Sequence, residues 1–91
     1  MEVIITFTDN TKLTFKRNPA DLRKARLNKE IILLFPNLKI FTGTIRRRPD
    51  PDDDTVIIYP DEGPIGGEVR IEAITAWCYA PKTWNQEGGE L

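Results

Sequence analysis

Histidine and serine are missing altogether from the 91 residues, and cysteine occurs once, as Cys78. The first two absences remove Ser-His-Asp and Cys-His catalysis, imidazole proton transfer and histidine-ligated metals. A single thiol closes no internal disulfide and builds no cysteine-based zinc site. Long apolar runs are absent too: none approaches the roughly 20 residues that span a bilayer. The opening Met-Glu-Val-Ile-Ile-Thr has no basic n-region of the secretory type, so the cytoplasm is the expected location. What is present is 40% hydrophobic and 30% charged, the composition of a globular protein. Residues 1–85 are expected to form one small domain, with 86–91 as a flexible tail. The compact His-free and Ser-free composition suits a bacterial or phage source.

Local patterns favour strands. Val3 to Thr8 and Lys12 to Lys16 are rich in β-branched and aromatic residues and flank Asp9-Asn10-Thr11, which reads as a β-hairpin. Alternation puts Val3, Ile5, Phe7, Leu13 and Phe15 on one face, with Thr6, Thr8, Lys12, Thr14 and Lys16 outward. Asn18-Pro19-Ala20-Asp21 has the order of an N-cap, a first-turn proline and a first-turn carboxylate, predicting a short helix that ends near Asn28 with Leu22, Ala25 and Leu27 inward. The apolar run Ile31 to Phe35 fits a strand, by its length and the Pro36-Asn37 stop. Leu38 to Arg48 alternates without declaring its buried side, and Gly43 within it marks a bulge or bend. Thr55 to Pro60 is a further strand. Glu68 to Tyr79 reads as a last element whose alternation slips by one residue after Ala73, as a bulged or bent strand would.

From Lys29 to Tyr79 the chain resembles the small β-barrels of the Sm-like and SH3-like type. The likeness rests on the apolar strand Ile31 to Phe35, a strand carrying Thr42-Gly43-Thr44-Ile45, a loop, the strand Val56 to Tyr59, and a closing Val69 to Ile74. The short helix before the first barrel strand and the mid-strand glycine of the Sm-like family match Pro19 to Asn28 and Gly43. The family's Asp and Asn in the RNA-binding loops have no counterpart here, and an N-terminal hairpin is added. The resemblance therefore implies a small barrel more strongly than it implies RNA binding.

Charge is divided unevenly along the chain. Residues 1–48 hold eleven Lys and Arg against four carboxylates, a net of +7, and residues 49–91 carry a net of −8. Arg17, Arg23, Lys24, Arg26, Arg46, Arg47 and Arg48 form a candidate patch for a phosphate backbone. The competing and preferred reading is mutual neutralisation, with Arg46 to Arg48 lying close to Asp52 to Asp54 across a hairpin. Asp50, Asp52, Asp53 and Asp54 supply oxygen ligands but lack the glycine and distal glutamate of a calcium loop, and read as a solvated loop. Asp61 to Gly67 has no Lys-Ser/Thr and is not a phosphate-binding loop. Trp77, Tyr79 and Trp84 are candidate anchors for a partner, weighed against a covering role over the sheet. Cys78 reads as a small core residue.

The expectation is thus a mainly β chain with one short helix, an SH3-like or Sm-like barrel preceded by a β-hairpin. It is expected to act without catalysis, metal or cofactor, as a binding or adaptor domain for another protein or for its own copies. Nucleic-acid binding through the basic patch is the alternative.

Overall fold

The computed structural model describes residues 2–60 and 66–81. Their elements are β1 (Val3–Thr6), β2 (Lys12–Phe15), a 3-10 helix (Pro19–Lys24), β3 (Ile31–Phe35), a 3-10 turn (Pro36–Leu38), β4 (Lys39–Thr44), β5 (Thr55–Pro60), β6 (Gly67–Arg70), a second 3-10 turn (Ile71–Ala73) and β7 (Ala76–Tyr79). The protein is mainly β, as its patterns imply. β1 and β2 form a separate hairpin, and the other five strands form one antiparallel sheet in the order β6-β5-β4-β3-β7. That sheet is not closed: among the described residues its edge strands β6 and β7 do not pair with each other, so the expected barrel is replaced by an open sheet.

β3 explains why its sequence has no alternation. It lies between β4 and β7, and Ile31, Ile32, Leu33 and Leu34 are all buried because both faces of the strand are covered. Ile31 and Leu33 join an inner core with Leu22, Ala25, Ile45, Val56, Ile58, Ile71, Ile74 and Trp77. Ile32 and Leu34 point the other way and meet Leu13, Phe15 and Ala76, with Val3, Ile5, Phe7 and Ile40 packed around them. The hairpin therefore sits on the outer face of the sheet, over β3 and β7. Its turn is closed by Asn10 at φ 71° and by the Asp9 carboxylate, which accepts the Thr11 N–H at 2.9 Å.

Three expectations are corrected. The helix begins as its cap signature implies, with Asn18 Oδ1 accepting the Ala20 N–H, but it is a 3-10 segment and stops at Lys24. Ala25 turns extended and Asn28 takes φ 63°, so Leu22 and Ala25 are buried while the chain is redirected into β3, and Leu27, expected inward, lies beyond the helix and is 39% exposed. Leu38 belongs to the turn between β3 and β4 instead of the strand. It has φ 62°, a conformation unusual outside glycine and asparagine, and is 68% exposed. The phase slip in Glu68 to Tyr79 is no bulge. The 3-10 turn Ile71–Ala73 divides the segment into β6 and β7, which lie at opposite edges of the sheet. Residues 86–91, expected as a tail, lie outside the described residues. No helix among those residues is long and apolar enough to cross a membrane.

Candidate functional site

The outer face of the sheet is covered only in part. Register and alternation place Thr42 and Ile40 of β4 beneath the hairpin with Ile32 and Leu34, and place Thr44, Tyr59, Ile57 and Thr55 further along that face, with Glu68 and Arg70 of β6 opposite the last two. The hairpin packs on the first group. Of the second group, Thr55, Ile57, Tyr59 and Glu68 floor an open groove of about 690 Å³, walled by Arg46, Arg47, Arg48, Asp50 and Asp53. Ile57 stands in it 48% exposed.

Tyr59 fixes one side of this groove. The Arg46 guanidinium lies 4.3 Å from its ring centroid, a cation–π arrangement. A Cβ on Gly66 would come within 2.6 Å of Ile57 Cγ2 and 3.0 Å of Tyr59 Cε2, so glycine lets the chain pass directly over both side chains. Thr55 Oγ1 donates to Glu68 at 3.4 Å across the β5–β6 ladder. The acidic loop is held through its backbone. Arg23 Nε and Nη2 donate to the Asp53 carbonyl at 3.0 and 2.6 Å, and Arg48 Nη1 donates to the Arg23 carbonyl at 3.0 Å.

The structure brings together residues 23, 46, 47 and 48 of the basic set and the Asp50 to Asp54 loop, but not by mutual ion pairing. Among the described residues the ion pair formed is Arg70 with Glu72, both well exposed, and none joins Arg46, Arg47 or Arg48 to Asp52, Asp53 or Asp54. Proximity is as expected, while the direct neutralisation is not found. No three His, Cys, Asp or Glu side chains among the described residues gather closely enough to hold a metal ion.

The remaining candidates form a second cluster at β7. Trp77 is 1% exposed, and its indole N–H donates to the Asn18 carbonyl at 3.0 Å, so it serves the core and offers a partner no surface. Tyr79 meets it edge to face at 5.1 Å between centroids. Arg17 lies 4.8 Å and Lys29 5.6 Å from the Tyr79 ring, whose hydroxyl accepts the Arg26 N–H at 3.1 Å. The basic helix region and the aromatic pair, separate features in the sequence, are one packed unit. The Lys24 and Arg26 side chains are exposed, and Trp84 lies outside the described residues. Cys78, on the opposite face of β7, is half-buried. Desolvation pushes its thiol up to about 11, against a smaller opposing effect of Arg17.

Ile57, Tyr59 and Gly66 escaped the sequence reading as site residues. Ile57 sits between Val56 and Ile58 in a run that shows no alternation, and only the extent of the hairpin decides that one face of β5 is left open. No family model, no curated protein and no solved structure matches this chain.

Proposed function

We propose that the chain is a non-enzymatic binding module whose working surface is the open outer face of β5 and β6, and that its ligand is a protein segment. One observation carries this reading: the hairpin stops short of β5, leaving Ile57 48% exposed in a groove rimmed by charged side chains. An apolar centre with a polar rim is the ordinary anatomy of a protein interface. The resemblance of Lys29 to Tyr79 to the Sm-like and SH3-like proteins belongs to the same proposal as a matter of scaffold, and does not choose between protein and nucleic acid. A cytoplasmic setting and a bacterial or phage source fit the single thiol and the composition.

A photo-activated cross-linker placed at Ile57, compared with one at the exposed outward position Thr14, tests it in lysate of the source cell. A discrete protein adduct is expected from position 57 alone. Indistinguishable patterns from both positions end the reading.

A second reading has its own observation: Arg46, Arg47 and Arg48 form no ion pair with a described carboxylate, and Arg46 already lies over an aromatic ring. Single-stranded RNA and duplex DNA are the probes, at about 50 and about 200 mM salt, because phosphate contacts weaken steeply over that interval. Binding that falls with salt, and whose salt slope flattens when the three arginines become alanine, moves nucleic acid ahead of protein.

A further inference from the structure

We propose that β1 is a self-association edge, pairing antiparallel with β1 of a second copy about a two-fold axis at Ile4. The surface is distinct from the groove at Ile57.

The direction of the backbone groups is the first support. Phe7 donates to the Thr11 carbonyl at 2.8 Å, and the register pairs Ile5 with Leu13 and Val3 with Phe15. Hydrogen-bonded and non-bonded pairs alternate in an antiparallel ladder. Val3, Ile5 and Phe7 therefore spend their backbone groups on β2, while those of Ile4 and Thr6 point to the other side. Among the described residues no strand lies there.

Composition is the second support. The edge reads Val3-Ile4-Ile5-Thr6 and contains no charge, no proline and no glycine. Edges left to solvent are ordinarily blunted by such residues. The edges of the five-stranded sheet are managed: β6 carries Glu68 and Arg70, and β7 is bridged at Trp77 by Arg17. Ile4 is nevertheless 57% exposed.

Register completes the argument. A two-fold axis that places Ile4 opposite Ile4 of the second copy also places Val3 opposite Ile5, and Thr6 opposite Glu2. Each residue keeps its own face, because the pairing joins positions of equal parity. Val3 and Ile5, half-buried over Leu13 and Phe15, would extend that apolar layer across the axis, and no two like charges oppose each other. The Ile4 pair would exchange both backbone hydrogen bonds.

Sedimentation equilibrium of the whole chain tests the idea. The mass should rise from 10.4 kDa toward twice that value as concentration increases. Ile4→Pro removes an N–H that points away from β2 and leaves the β1–β2 ladder its bonds, so a folded monomer at all concentrations is expected. In a Cys78→Ala background, Ile4→Cys should cross-link with itself under mild oxidation and Thr14→Cys should not. A wild-type chain that stays monomeric overturns the proposal, as does a dimer that survives Ile4→Pro. Should Ile4→Pro fail to fold, the cysteine pair decides: no preference for position 4 also overturns it.

Discussion

Gly43 lies against the main chain of Tyr59: a Cβ at position 43 would stand 2.5 Å from the Tyr59 carbonyl oxygen and 2.7 Å from Ile58 Cγ2. β4 and β5 pair only through Gly43–Pro60 and Thr44–Tyr59, so this close approach is where the sheet continues from its hairpin-covered half to its open half. Gly43→Ala is expected to lower stability by about 1–3 kcal/mol, the usual cost of forcing atoms into a filled site. Gly67→Ala meets nothing within 4 Å and should change stability by less than about 0.5 kcal/mol. Denaturant midpoints of the two variants check this; equal losses would contradict it.

Trp77 ties the strand β7 to the segment before the 3-10 helix through its bond to the Asn18 carbonyl. Trp77→Phe keeps most of the buried area and removes one of two hydrogen bonds to the Asn18 carbonyl, which still accepts the Asp21 N–H at 2.9 Å, so the expected cost is about 1 kcal/mol. Trp77→Ala also opens a cavity and should cost about 3–5 kcal/mol. Chemical denaturation of both variants distinguishes a bonded core indole from one that merely fills space.

Arg23 holds the acidic loop by two hydrogen bonds to one carbonyl, at Asp53. Lysine retains the charge but not the planar fork. Arg23→Lys is therefore expected to speed amide exchange in residues 50–54 while changing global stability by only about 1 kcal/mol, the scale of a typical net hydrogen bond. Exchange rates that match the parent protein would show that the clamp does not order the loop.

The Cys78 thiol, raised by burial from 9.0 to about 11, binds its proton more tightly in the folded state than in the unfolded one. Its contribution to stability is whole below pH 9.0 and is lost as pH rises through about 11. At pH 8 it should carry about 100-fold less thiolate than an unperturbed thiol, two pKa units being two decades, and alkylate correspondingly slowly. Labelling at the rate of a free thiol would contradict the assignment.

Where the sequence was explicit, it was so through local rules. Val3, Ile5, Leu13 and Phe15 alternate because one face of the hairpin is buried, and Asn18-Pro19 announces a helix start because it satisfies a free N–H and presets φ. The helix end was not legible, since Ala25 turns extended, and Asn28 then takes a positive φ, only to deliver Ile31 into the sheet. Nor was the division of Glu68 to Tyr79, because a one-residue slip in alternation has the same signature whether a bulge or a 3-10 turn causes it.

By itself, then, the sequence determined a mainly β chain without histidine or serine chemistry, its hairpin, most of its strand positions and the division of its charge. Strand order, the opposite-edge placement of β6 and β7, the union of Arg17 with Tyr79 and the exposure of Ile57 were decided only by the tertiary structure. Periodicity records which side of a strand faces apolar surroundings, whereas the neighbour that provides them is chosen by packing among residues far apart in the chain.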